Sequence, residues 1–413
     1  MRKERPFKNR MMANKKVVLA YSGGLDTSFC VKYLSEDLGL EVHALTVDTG
    51  GFDQEELDEI EKRAFTLGAK TVKVIDAVPA FYQQCVRYLI YGNVLRNNTY
   101  PLSVSAERMF QALQVVEYAK KIGADSIAHG STGAGNDQVR FDLVFNILGP
   151  GLDVITPIRD MQLSRQAEIE YLEKHGVTWS WEKAKYSINQ GLWGTSVGGA
   201  ETLTSHQSLP EEAYPSQLQE QKPSQVELHF EKGELKGIDD QSFEHPWEAI
   251  AHLNQIAKAY AIGRDVHVGD TIIGIKGRVG FEAAAPVIIL KAHHLIEKHS
   301  LTKWQQYWKE QLANWYGMLL HEGQYLDPVM RNIESFLEDT QSTVTGTAIV
   351  KLLPYRFELV GIRSDYDLMN SDFGHYGEMN KAWSGEDVKG FTKILANQVK
   401  IHHLVNQKQA SDT

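Results

Sequence analysis

A chain of 413 residues is too long for one compact core and predicts two domains. Its 42% hydrophobic and 23% charged residues fit a soluble globular protein, and a net charge of -10 argues against a general nucleic-acid binder. The 2 cysteines, Cys30 and Cys85, stand in no metal or redox spacing, and no apolar run is long enough to cross a bilayer, which sets aside disulfide, zinc and membrane classes. The opening MRKERPFKNRMMAN is basic and has no apolar core. It reads as a disordered tail over residues 1–14, with Met11 or Met12 as alternative starts and a transit peptide as the other reading. A cytoplasmic location follows by default. KKVVLAY then predicts a buried strand, SFCVKYLSEDLG a helix and EVHALTVDTG a second strand. Leu57, Ile60, Ala64 and Leu67 recur at helical spacing, KTVKVIDA is strand-like and AFYQQCVRYLIYG helical. The glycosylation-type triplet Asn97-Asn98-Thr99 has no secretory signal before it and reads as chance. AERMFQALQVVEYAKKIG predicts a helix closed by Gly123, SIAHG and DVITPI two more strands, and SRQAEIEYLEKHG a helix capped by Ser164 and closed by Gly176. Repeated β-α units imply a parallel sheet covered on both faces.

The pattern changes near Thr178. SLPEEAYPSQLQEQKPSQ is a polar loop, and QVELHFEKGELKGID and TVTGTAIVKLLPYRFELVGIRS predict hairpins. WEAIAHLNQIAKAYA and TKWQQYWKEQLANWYGMLLHEG predict helices between them. The expected organisation is thus an α/β domain over 15–178, an α+β domain over 179–383 and one amphipathic helix over 384–413. In that helix Val388, Phe391, Leu395 and Ile401 lie near one face, to dock on another subunit or on its own domain.

YSGGLDTS leaves the first strand at its carboxyl end, where open α/β sheets bind ligands. Gly23 and Gly24 let the backbone approach phosphate oxygens, Ser22, Thr27 and Ser28 add hydroxyl donors, and the following helix presents free N–H groups. Asp26 fits beside a polyanion if it caps the helix or meets phosphates through Mg²⁺. A capped strand-to-helix turn is the plain alternative. The loop lacks the G-x-x-x-x-G-K-[ST] pattern of a Walker A motif.

SGGLDTS resembles the PP-loop of ATP pyrophosphatases, and AYSGGLDTS in particular resembles the argininosuccinate synthases. The likeness continues through YPLSVSAER, HGSTGAGNDQVRF, ITPIRD, YSINQGLWGTS, IGR and GIKGR, nearly the whole chain after the tail. It implies a HUP-like ATP-binding domain, a synthetase domain and a terminal helix that builds a homotetramer. It also implies citrulline, aspartate and Mg·ATP as substrates. In the family the citrulline ureido oxygen attacks the α-phosphate, pyrophosphate leaves, and the aspartate amine displaces AMP. Such chemistry rests on alignment and charge stabilisation rather than on a covalent catalyst, so no catalytic residue is assigned. By resemblance Ala20, Tyr21, Ser22, Gly23, Gly24, Leu25, Asp26, Thr27 and Ser28 bind ATP, with Val47 near the adenine and Gly130 facing the nucleotide. Thr132, Asn136 and Asp137 hold aspartate. Tyr100, Ser105, Asn136, Arg140, Ser187 and Ser196 hold citrulline, the Arg140 fork suiting its carboxylate. His129 is expected to pack.

Four positions depart from the family pattern. Ala134 stands where Lys is frequent, Thr195 where a basic residue is, Gly269 where a Glu contacts citrulline and Phe281 where Tyr is usual. Asp270 and Glu282 are the neighbouring candidates to compensate. Two other functions stay open: a tRNA-modifying PP-loop enzyme, disfavoured by the acidic balance and by Cys30 inside a helix, and a nucleotide sensor without turnover.

Overall fold

The computed structural model describes residues 15–179, 186–370, 374, 376–378 and 382–411, so the basic tail lies outside the described residues. The first strands are β1 (Lys16–Ala20), β2 (Glu41–Asp48), β3 (Thr71–Asp76), β4 (Ser126–Ala128) and β5 (Asp153–Ile155). They pair in parallel in the order β3-β2-β1-β4-β5. β1 sits centrally because both its faces are apolar. Val17 and Leu19 pack into one core cluster and Val18 into the other, as alternation along a strand requires. The helix Leu25–Lys32 covers the first face and the helix Ser103–Ile122 the second. All five strands expected from the sequence are present. The helix expected over 28–39 starts earlier, at Leu25, and continues past Lys32 as a wider π turn, Tyr33–Asp37. Asp53 and Glu56 cap the helix Gln54–Leu67 reciprocally, and Gly123 ends Ser103–Ile122 in the left-handed conformation.

The remaining strands are β6 (Ser187–Gly191), β7 (Gly194–Gly198), β8 (Ser224–Glu231), β9 (Glu234–Ile238), β10 (Gln241–Ser242), β11 (Arg264–Asp270), β12 (Lys276–Glu282), β13 (Gly346–Leu353) and β14 (Arg356–Arg363). They form one antiparallel sheet β10-β9-β8-β13-β14, containing both expected hairpins, and a second sheet β11-β12-β7-β6 that the sequence reading did not anticipate. The larger core cluster runs without a break from Val18 through Phe110 to Ile289 and Val350, so the change of pattern near Thr178 does not divide the core. Buried polar groups also cross it. Asn93 donates to Glu297, which pairs with Lys309 at 2.7 Å. Cys30 and Cys85 are free and buried, and burial pushes both thiols up.

The chain divides into two compact units, Met1–Asp365 and Tyr366–Thr413. In the second unit the expected single helix is two, Gly385–Leu395 and Asn397–Ser411, joined by a turn at Ala396. Asn397 is a residue type that favours helix starts over helix interiors. Val388, Phe391, Leu395 and Ile401 are all exposed. No described helix is long and apolar enough to cross a membrane.

Candidate active site

In an open parallel sheet, ligands bind outside the carboxyl ends of the strands where the strand order reverses. Here that point lies between β1 and β4. The loops leaving these two strands touch, since a Cβ added at Gly130 would lie 3.2 Å from Thr27 Cγ2 and 3.3 Å from its backbone nitrogen. A cavity of about 770 Å³ opens onto both loops, a volume suited to a nucleotide with small co-ligands. A hollow of about 300 Å³ beside Phe110 and Gln114 has no comparable loop.

The loop after β1 is held by its own hydroxyls. Thr27 Oγ1 donates to the Gly24 carbonyl at 3.3 Å and lies 3.3 Å from Ser22 Oγ. Gly23 has φ +77°, and a Cβ there would lie 2.8 Å from Ile60, so the fold itself requires glycine. Gly24 differs: an added Cβ would meet only Ser22 Oγ, at 3.6 Å. Ala20, Tyr21, Ser22, Gly24, Leu25, Asp26 and Thr27 line the cavity with Val47, whereas Gly23 and Ser28 do not, and Ser28 is fully buried. Asp26 does not cap its helix, because Gly24 is the N-cap and no side chain bonds there. Its carboxylate meets Glu168 instead. Burial, together with Asp26's charge and hydrogen bond, pushes the Glu168 carboxyl up to about 8.

After β4, His129 is buried, stacks on Phe141 and does more than pack: its Nδ1 accepts from the Ser131 amide at 3.1 Å while Nε2 meets Asp142 at 3.1 Å. Gly130, Thr132 and Asp137 line the cavity. Asn136 Oδ1 accepts from the Ile272 amide, tying this loop to the turn between β11 and β12. Asp137, at the start of the helix Asp137–Leu148, accepts from Arg108 Nε at 3.1 Å and Arg140 Nη1 at 2.8 Å. Burial alone would raise the Asp137 carboxyl, but Arg108 and Arg140 outweigh it and hold the group below the usual carboxylate range.

Arg140 is 2% exposed and does not line the cavity. Besides Asp137, its fork donates to the His321 carbonyl from Nε at 3.2 Å and Nη2 at 3.0 Å, and to Ser105 Oγ at 3.2 Å. Ser105 is buried against it, Tyr100 and Ser196 are also buried, and none of the three lines the cavity. Ser187, on β6, lines the cavity. The structure therefore gathers most of the ATP and aspartate sets around one opening and leaves most of the citrulline set packed behind the wall. Arg108, Gln111 and Asn189 also line the opening and were missed from sequence. Arg108 follows Ser105 by three positions, one face of the same helix, which was the available signal.

Two family profiles match the chain, that of the arginosuccinate synthase N-terminal HUP domain over residues 16–178 and that of the arginosuccinate synthase C-terminal domain over 186–402. The chain belongs to the argininosuccinate synthase family. Its curated relatives include the argininosuccinate synthases of Dictyoglomus thermophilum, 37% identical over 95% of this chain and 98% of the relative, and Methanocaldococcus jannaschii, 36% identical over 95% and 99%. A third, from Xanthomonas campestris, is 36% identical over 96% and 100%. Argininosuccinate synthases are ligases of arginine biosynthesis that join citrulline and aspartate, with ATP as co-substrate.

Of the four positions expected to depart from the family pattern, Gly269 and Phe281 sit in one packed cluster. A Cβ at Gly269 would lie 2.5 Å from His267 Nε2. The His267 ring stacks on Tyr100 with centroids 5.3 Å apart, and Phe281 packs on the same tyrosine at 5.4 Å. Thr195 is buried on β7 and Ala134 is exposed. Neither neighbour is placed to stand in for a carboxylate at 269: Asp270 is exposed and paired with Lys276 at 2.6 Å, and Glu282 is buried against Arg264 at 3.1 Å. Each sits one residue along a strand from the altered position and so points to the other face.

Proposed function

We propose that this argininosuccinate synthase works through a citrullyl-adenylate, releasing pyrophosphate and then AMP, with residues 15–178 holding ATP, 179–383 completing the substrate site and 384–413 building a homotetramer. Cytoplasm is the setting this reading assumes, and neither nucleic acid nor membrane takes part. The observation that carries it is the meeting of two loops at the reversal of strand order, with Asp137 fixed between two arginines at their edge. The loop amides and the helix N-terminus at Leu25 suit the phosphates of ATP. Mg²⁺ commonly needs only one or two carboxylates beside phosphate oxygens and water, and Asp26 at the loop would supply one on exchanging its Glu168 partner for the ion. When bound, the ion screens phosphate charge.

Thr132 and Asp137 suit the carboxylates and amine of aspartate respectively, an acceptor such as Asp137 being apt for an ammonium. Asn136 shares the second loop with them, and Gly130 lets the nucleotide approach it. Tyr100, Ser105, Arg140, Ser187 and Ser196 bracket citrulline, Arg140 exchanging the His321 carbonyl for the substrate carboxylate. The protein's part is to align the reacting atoms and to exclude water. The test is to incubate the full chain with Mg·ATP, citrulline and aspartate and to identify products by mass. Argininosuccinate with pyrophosphate release dependent on citrulline supports the reading. Release dependent on tRNA, or none, would replace it with one of the other two functions.

A further inference from the structure

We propose that Arg108 is a positioning residue that locks the aspartate-binding edge of the cavity to the β6–β7 hairpin, so that one guanidinium sets the geometry of both amino-acid subsites. This rests on the functional reading above, which assigns Arg108 no role. Arg108 lies on the helix Ser103–Ile122 and lines the cavity with its side chain 16% exposed. Its nitrogens point three ways: Nε to Asp137 Oδ2 at 3.1 Å, Nη1 to Gln111 Oε1 at 3.0 Å, and Nη2 to Asn189 Oδ1 at 2.8 Å. These acceptors belong to the helix after the second glycine loop, to Arg108's own helix and to β6. Asn189 in turn donates from Nδ2 toward Ser196 Oγ at 3.5 Å. A continuous path of polar contacts therefore runs from Asp137 through Arg108 and Asn189 to Ser196, from the aspartate set to the citrulline set. On β6, Ser187 and Asn189 share a face and both line the cavity, so a shift of this strand would move the citrulline side directly.

The charge balance points the same way. Asp137 faces Arg108 from one helix and Arg140 from its own, and one carboxylate against two guanidiniums leaves a net positive charge at the wall. That sign suits a substrate carrying two carboxylates. A further acidic group beside Arg108 is Glu107, whose carboxyl burial pushes up to about 8. At neutral pH it is therefore mostly uncharged and cancels little of that positive charge. A purely structural ion pair would have no need to face the opening or to span three elements. Lysine could supply the charge, but its three donors sit on one nitrogen and lack the planar spread that reaches acceptors on three elements.

The experiment uses the full-length chain as wild type, Arg108→Gln and Arg108→Lys, each first shown to melt cooperatively. In steady-state kinetics across pH, Arg108→Gln should raise the aspartate KM at least tenfold, raise the citrulline KM severalfold and leave the ATP KM within twofold. Removing one of the two guanidiniums that hold the Asp137 carboxyl down should also move the acid limb of kcat/KM for aspartate to higher pH. Arg108→Lys should restore the position of the acid limb but not the KM. If the KM values for ATP and both amino acids change together while the acid limb stays in place, Arg108 only supports the fold and the proposal fails. It fails equally if the variants match wild type. Calorimetric titration of wild type and Arg108→Gln with L-aspartate makes the same comparison without turnover. A wild type that binds aspartate but forms no argininosuccinate would therefore sink the functional reading alone.

Discussion

Replacing Glu107 with Gln should remove a large part of this protein's loss of stability in alkali. Glu107 is 1% exposed, its Oε1 has no hydrogen-bond partner among the described residues, and a Cβ built on Gly191 would lie 1.7 Å from that oxygen. The carboxyl is thus pressed against bare backbone. Burial is the main reason it is pushed from 4.5 up to about 8, Asp48 and Asp137 adding to the effect while Arg108 and the Thr49 hydroxyl oppose it. A carboxyl whose pKa is raised by folding holds its proton longer in the folded chain. Its contribution is fully present below 4.5, falls as pH rises through the window and is gone above about 8. Between pH 6 and 9 the unfolded chain gains roughly three pH units of ionisation free energy and the folded chain only about one. The difference of about two units is worth roughly 2.5 kcal/mol. Gln is nearly isosteric and neutral throughout, so the variant lacks this term. Urea midpoints at both pH values for both proteins isolate it from every other titrating group. At an m-value of about 3 kcal/mol/M, wild type should lose close to 1 M more in midpoint than Glu107→Gln. Parallel losses in the two proteins would refute the reasoning.

Gly24→Val should abolish ATP-dependent turnover with an unchanged circular dichroism spectrum, because a Cβ there makes only an ordinary contact with Ser22 Oγ at 3.6 Å while the side chain would stand in the way of an incoming phosphate. Full activity would remove the phosphate-loop assignment. Arg140→Ala should weaken citrulline use at least about tenfold, since a hydrogen bond to a charged group is worth roughly 1.5–3 kcal/mol, with Arg140→Lys a partial rescue. An unchanged citrulline KM in Arg140→Ala would count against its role. A chain cut after Ser384 should scatter light as a smaller species than the full-length assembly. If it keeps the same number of copies, the terminal helices serve their own subunit.

The parallel sheet was legible because its strands are short apolar runs ended by polar or glycine-rich loops, as strands buried on both faces should be. The β6–β7 hairpin was not legible. SINQGLWGTSVG is rich in Ser, Asn and Gly, which locally favour turns. What makes it a strand pair is non-local: β7 hydrogen-bonds to β12 some 80 residues later, at Gly280, Phe281 and Glu282. Within the site, the loops were readable because glycine at a strand end has a local meaning. Arg108 was not, because a lone arginine on a helix is by default solvated, and its three acceptors come together only in the folded chain. Sequence could not show either that Arg140's fork is already occupied, since the His321 carbonyl that occupies it lies 181 positions away.

The departures at 269 and 281 then look like one change rather than two. His267 and Gly269 alternate on β11 and so share a face, and the imidazole occupies the space that a side chain at 269 would need. That imidazole stacks on Tyr100, and Phe281, from β12, packs on the same ring. The tyrosine is thereby held between a histidine and a phenylalanine, with its hydroxyl near Ser103 Oγ and accepting from the Val104 amide. A side chain at position 269 would require the His267 ring to move, because its Cβ would begin 2.5 Å from Nε2. Burial and the nearby Arg96 push the His267 pKa down, which keeps the ring neutral and spares this wall a further positive charge. A neutral imidazole retains one acceptor nitrogen. The capacity to accept a hydrogen bond on this face therefore rests on a single nitrogen of His267.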